Sequence, residues 1–376
     1  MAGIYIHIPF CKKACYYCNF HFSTTLHHKL SLCEAISKEL ILRKDELSGQ
    51  IIESIYFGGG TPSILLPEEL SIILDTLKNH FDLSFVREFT LEANPDDITE
   101  AYLEYLKGSP INRLSLGIQS FLAQDLAWMN RAHDVSQAKN ALSLVKKHGF
   151  NSISLDLMYG LPNLSHEDWI ANIATALSYS PEHISAYCLT IEPKTAMANA
   201  IEKGKMPPIE EEIAEVQFKI LREMLLKAGY IHYEISNFAK PEKLALHNTN
   251  YWRGENYLGV GPAAHSFNGN QRSWNIANNP QYLKSIQHNE LPLTTEVLTE
   301  SNKFNEYIMT SLRTVWGINL DILEKRFGSN RKNKLLHEAE NLIKEGKLLL
   351  VEDKLRIAEN ALFYADGIAS DLFQLG

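Results

Sequence analysis

Short β-rich runs alternating with longer amphipathic stretches constrain this chain more than any other feature. The runs are IYIHI (4–8), SIYF (54–57), EFTLE (88–92), RLSLGI (113–118), SISLDLM (152–158) and HISAYCLT (183–190). Between them lie stretches such as KLSLCEAISKELILRKDEL, LPEELSIILDTLKNHF and VSQAKNALSLVKKHGF, with apolar residues at helical spacing. Strand, crossover helix and strand join with a right-handed turn, so repeating the unit predicts a parallel sheet with helices on its outside. The run counts about six units, too few for a closed eight-stranded barrel. The expected fold is α/β, a partial (β/α)6-type, TIM-like barrel over residues 1–235.

The unusual residues fall at the ends of these runs. Cys11, Gly58 to Pro62, Glu92, Gln119 and Asp156 each sit at or just after the C-terminal end of a strand. In a barrel the βα loops converge there, and that end carries the active site. Beyond about residue 205 the texture changes. MPPIEEE opens a helix running to about Lys227, and GYIHYEISNFA is expected as a seventh strand. Residues 236–295 are rich in Asn, Gly, His and aromatics and are expected to be an irregular connecting segment. Residues 296–376 suggest a mostly helical, winged-helix-like module with a strand pair around Glu352-Asp353. Its helices lack basic recognition residues, which argues against a DNA-binding wing.

Charge narrows the function classes. A net charge of −9 and a pI near 5.9 exclude a general nucleic-acid binder, which needs a basic footprint. No segment approaches the ~20 apolar residues of a membrane span, and MAGIYIHIPFC lacks the basic start of a secretory signal. Five cysteines, three of them clustered, do not make a disulfide framework, so a reducing cytoplasm is expected.

The cluster is FCKKACYYCNF, with Cys11, Cys15 and Cys18 spaced C-x3-C-x2-C and Phe20 where a fourth thiol could stand. Three thiolates in one short loop point to a metal or cluster. Zinc wants four ligands, which His7 and His21 could complete. A [4Fe–4S] cluster normally takes four cysteines, and three would leave one iron open to a substrate or cofactor.

This pattern, on the loop after the first strand of a partial barrel, resembles the radical S-adenosylmethionine superfamily. The resemblance implies that the open iron of a [4Fe–4S] cluster on Cys11, Cys15 and Cys18 chelates S-adenosylmethionine. The other strand ends match in order. YFGGGTPS implies that Gly59, Gly60 and Thr61 approach the cofactor; LEANP supplies Glu92, GIQSF Gln119, NRAH Arg131 and LDLMYGLP Asp156, while Tyr5 and the backbone of Tyr17 match further contacts.

Within the superfamily the chain is similar to the branch of oxygen-independent coproporphyrinogen III oxidase and the HemW-type heme chaperones. The oxidases carry a fourth cysteine and a long N-terminal extension; here Cys18-Asn19-Phe20 stands instead, and about ten residues precede the cluster loop. HNTNYW (247–252) matches the H-N-x-x-Y-W motif of the chaperones. The resemblance therefore implies a heme chaperone serving respiratory heme proteins, with oxidative decarboxylation of coproporphyrinogen III as the alternative and no catalytic residue assigned. His247 is the expected heme ligand, covered by Tyr251 and Trp252, with His265 a second candidate. Cys33 and Cys188 are expected to be buried bystanders. Peripheral membrane association and a homodimer are both compatible with this reading.

Overall fold

The structure is a computed structural model that describes residues 1–206 and 210–374. All six expected strands form: β1 (Ala2–Ile8), β2 (Ile52–Gly59), β3 (Glu88–Ala93), β4 (Arg113–Gln119), β5 (Ile153–Tyr159) and β6 (His183–Cys188). Each pairs in parallel with the next. The principal crossover helices are Lys29–Leu42, Pro67–His80, Glu100–Lys107, Val135–Lys147 and His166–Ser178. Local chemistry starts three of them: Thr99, Asp134 and Ser165 accept hydrogen bonds from first-turn backbone N–H groups, each worth about 1 kcal/mol.

The strands alternate, and the alternation decides where the site can be. In β4, Leu114, Leu116 and Ile118 are completely buried, while Arg113, Ser115, Gly117 and Gln119 point to the other face. In β1, Ile4, Ile6 and Ile8 are likewise sealed, with Tyr5 and His7 opposite. Helices cover the apolar face. The concave face is lined with polar and aromatic side chains.

Two expectations fail. GYIHYEISNFA is a hairpin, not one strand: β7 (Ile231–Glu234) and β8 (Asn237–Ala239) pair antiparallel, and β8 runs antiparallel to β6. Residues 236–295 are not irregular. They hold the helices Leu246–Trp252 and Asn279–Gln287 and the strands β9 (Asn256–Val260), β10 (His265–Phe267), β11 (Gln271–Asn275) and β12 (Leu293–Val297). The sheet order is β12-β11-β10-β9-β1-β2-β3-β4-β5-β6-β8-β7, so the barrel is open, with β12 and β7 at its ends. Strands this short show too few alternating positions to reveal a period. The pairing that joins them to the core also links residues far apart in the chain, Ala2 with Asn256. The Pro207-Pro208 entry expected for the next helix lies outside the described residues; the helix is seen from Glu211 to Lys227.

A buried polar network fastens the added strands to the first helix. Arg43 donates to Glu39 at 2.9 Å, to the Gly259 carbonyl at 2.8 Å and to Ser266 Oγ at 3.0 Å. Glu39 also accepts from Tyr282, Asn275 and the Gly261 N–H. Gly259 has to be glycine here, because a Cβ would fall 1.9 Å from the His265 carbonyl oxygen.

A second cluster of buried side chains, including Phe304, Ile308, Leu323, Leu335 and Leu355, belongs to the C-terminal part. There the helices Glu300–Leu312, Leu320–Phe327 and Ser329–Lys344 pack with β13 (Ile318–Asn319), β14 (Leu348–Val351) and β15 (Lys354–Ile357) in the order β13-β15-β14. The expected strand pair turns at Glu352-Asp353, where Glu352 takes a φ of 55°.

Candidate functional site

The cysteine loop leaves β1 and is closed by backbone hydrogen bonds from Cys11 to Ser23 and from Ser23 to Pro9. Cys11, Cys15 and Cys18 are free, half-buried thiols on the wall of one cavity of about 470 Å3. Arg131 Nη1 donates to Cys15 Sγ at 3.3 Å, and the Thr61 hydroxyl to Cys11 Sγ at 3.5 Å. Burial pushes the Cys11 thiol up to about 11. Bound iron would reverse this, since a coordinated thiol is deprotonated outright.

Arg131 is not a surface arginine of a helix. It lies in the turn after the helix Ala123–Trp128, half-buried, with Nη2 donating to Asn94 Oδ1 at 2.7 Å and to the Gly117 carbonyl at 2.8 Å. Its Nε is buried without a protein partner.

The glycine loop fits against the root of the cysteine loop. Gly59 has φ +106°, and a Cβ on it would fall 2.5 Å from the His7 ring; one on Gly60 would fall 2.6 Å from the Phe10 carbonyl oxygen. Glu92 accepts from the Tyr56 hydroxyl at 2.7 Å. Its carboxyl is raised to about 7, first by burial and then by the charge of Asp156, against the lowering effect of Tyr56. Burial likewise raises Asp156 to about 6, although Ser115 donates to it at 3.3 Å. Gln119 holds a φ of 67°, a left-handed conformation that costs about 1–3 kcal/mol in a non-glycine residue and concentrates at functional sites. Tyr17, Gly59, Gly60, Thr61, Glu92, Gln119, Arg131 and Asp156 thus share one cavity with the three cysteines.

Tyr5 and His247 do not. They line a second, wider cavity of about 900 Å3 together with Tyr56, Tyr251, Trp252 and Tyr257. His247 sits on the helix Leu246–Trp252, whose first N–H groups at Leu246 and His247 donate to the Glu88 carboxylate at 2.7 and 3.0 Å. That anion satisfies donors a helix start leaves free and complements its dipole. His247 Nδ1 is hydrogen-bonded to Ser54 Oγ at 2.9 Å, and its ring stacks on Tyr56 with centroids 5.1 Å apart. Burial pushes it down to about 4, so the imidazole is neutral. His265 stacks on Trp274 in the same wall. Asn19, Phe20 and Tyr187 belong to both cavities, which makes Phe20 part of their shared rim.

The histidines proposed for zinc are committed elsewhere. His7 Nε2 bonds the His21 carbonyl at 2.9 Å, and His21 Nε2 bonds Asn279 Oδ1 at 2.7 Å. Among the described residues no three His, Cys, Asp or Glu side chains are grouped to share one ion. Cys33 is buried as expected, but Cys188 lines the first cavity instead of lying in the core. Sequence reasoning missed Tyr56, Asn94 and Tyr187; only the flanking Gly58 and Pro95, at strand ends, hinted at the first two.

Residues 5–176 match the Radical SAM superfamily. Over 337 residues the chain is 36% identical to heme chaperone HemW of Bacillus subtilis (strain 168), covering 87% of each protein. It is 32% identical to heme chaperone HemW of Lactococcus lactis subsp. lactis (strain IL1403), covering 86% of this chain and 84% of that one. The chain belongs to the HemW group of the radical SAM superfamily.

The chain shares its fold with coproporphyrinogen III oxidase (HemN) from Escherichia coli, at a TM-score of 0.86 and 22% identity over 99% of this chain and 90% of that one. Superfamily membership implies a [4Fe–4S] cluster and S-adenosylmethionine, and the first cavity fits both. Three thiols face it, the glycine loop brings backbone close, and the partnerless Arg131 Nε lies beside them. Among the described residues of this HemW-group protein no helix is long and apolar enough to cross a membrane.

Proposed function

We propose that this protein is a cytoplasmic heme chaperone that binds heme in the aromatic cavity and passes it to heme proteins of respiration. The observation that carries the reading is His247. A neutral imidazole, fixed through Nδ1 by Ser54, stands in an aromatic wall beside the cysteine-lined cavity. Neutral imidazole is the usual axial ligand of heme iron, and Tyr251 and Trp252 supply flat faces for the macrocycle. Arg272 and Arg313 line the same cavity, Arg272 paired with Glu306 at 3.0 Å and Arg313 with Glu234 at 3.3 Å and with Asp366. The relatives named for heme delivery support the same reading.

In the first cavity Cys11, Cys15 and Cys18 would hold the cluster, which would supply an open iron to S-adenosylmethionine. Thr61 and Arg131 donate to the sulfurs, Glu92 and Asp156 offer acceptors, and Tyr5 contributes from the second cavity's wall rather than from the first.

The test compares two activities on one preparation reconstituted anaerobically with iron and sulfide. Stoichiometric heme uptake that weakens in His247→Ala is expected. Vinyl-group formation from coproporphyrinogen III would replace this reading with the oxidase one.

A further inference from the structure

Tyr56 is the side chain that bridges the two cavities' principal residues. Its hydroxyl donates to Glu92 Oε1 at 2.7 Å, on the wall of the cysteine-lined cavity. Its ring stacks on His247 at 5.1 Å and 29° in the second. Tyr5, its register partner on β1, stacks on it at 6.1 Å. Gly58 makes the room: a Cβ there would fall 2.8 Å from the Tyr56 ring and 3.0 Å from Glu92 Oε1. With both its hydroxyl and its ring faces engaged, Tyr56 cannot turn without disturbing a neighbour. Ser54, two residues earlier on the same face of β2, holds His247 Nδ1. One strand therefore sets the imidazole at two points and reaches the carboxylate with the same tyrosine.

We propose that Tyr56 is a positioning residue that couples the two sites. A donor bound to Glu92 fixes the carboxylate, and with it the tyrosine hydroxyl, the ring and the imidazole stacked on it. Occupation of the first cavity by S-adenosylmethionine then tightens heme binding at His247, and by linkage heme tightens S-adenosylmethionine by the same factor. This inference rests on the functional reading above.

The experiment titrates the cluster-loaded protein anaerobically with heme, followed at the Soret band, with and without saturating S-adenosylmethionine. It also titrates S-adenosylmethionine with and without heme. In the unaltered protein each ligand is expected to lower the other's Kd by the same factor, about fivefold or more. Tyr56→Phe keeps the ring and removes the hydroxyl. Each ligand is titrated into this variant alone and with the other, and whatever its single-ligand Kd values, the factor is expected to fall towards one. Absence of coupling in the unaltered protein, or a factor that persists in Tyr56→Phe, overturns the inference. Failure of the unaltered protein to take up heme at all overturns the functional reading instead, and the two failures are told apart by the heme titration alone.

Discussion

The two cavities share a rim yet are built in opposite ways. The cysteine-lined cavity is assembled from the ends of consecutive parallel strands, each contributing one or two residues in chain order. The aromatic cavity is assembled across the sheet, with Tyr5 and Tyr56 from its middle, Tyr257 from an added strand and His247 from a helix held by Glu88. A site made at strand ends inherits its geometry from the backbone ladder. A site made across the sheet depends on side chains that hold one another, and should be easier to loosen without unfolding the protein.

The largest effect expected is loss of the cluster. Cys15→Ser, removing the thiol that Arg131 touches, should abolish most iron binding and the broad absorption of the reconstituted protein. Iron content unchanged from the unaltered protein would break the assignment of the first cavity. Next comes His247→Ala, expected to weaken heme binding by at least about tenfold to a hundredfold, which is the range for losing only a group that supports a metal ligand. Binding of S-adenosylmethionine alone should survive that change, whereas equal loss of both ligands would show that the cavities are one site.

Gly60→Ala probes the backbone-built cavity. Its Cβ would meet the Phe10 carbonyl oxygen at 2.6 Å, a backbone atom with no rotamer to escape by. Destabilisation of about 1–3 kcal/mol, read as a lower melting temperature, is expected. A melt identical to the unaltered protein would mean that this loop yields more readily than the strands suggest.

The acid response separates the buried histidines from the carboxyls of the first cavity by sign. Burial pushes His7, His133 and His232 down to about 4, so in the folded state they bind fewer protons than when unfolded, and stability falls as pH drops from about 6.5 towards 4. Glu92 and Asp156 are raised to about 7 and about 6, so their contribution runs the other way and is lost as pH rises. Removing one opposing group in Glu92→Gln should make the melting temperature rise more steeply between pH 5 and 6.5. A shallower rise would contradict the buried carboxyl. The smallest effect on heme is expected from Glu88→Gln, which weakens the charge at the start of the helix Leu246–Trp252; Glu88 also faces the buried Arg113 at 3.9 Å. The change should cost a few-fold in heme affinity, with iron content untouched.

The first cavity was legible because its residues are locally marked. Cys11, Cys15 and Cys18 fall within eight positions, and glycines or polar residues punctuate successive strand ends. The second was legible only at His247. Tyr56 resembles any strand aromatic, and Tyr187 any residue near the end of β6, until the sheet curves and brings them to the shared rim. The strands β9 to β12 escape a reading of the sequence because each is five residues or fewer, and β9, which ties them to the core, pairs with the distant β1.

The sequence by itself determined the parallel βα core, the three-thiol loop and the face of each strand, since alternation and short spacing are local properties that no packing partner has to supply. Only the tertiary structure decided that Tyr5 stands with His247 rather than with the cysteines, that Arg131 reaches Cys15, and that Tyr56 joins Glu92 to His247. Those contacts depend on strand register and sheet curvature, and both come from pairing residues far apart in the chain.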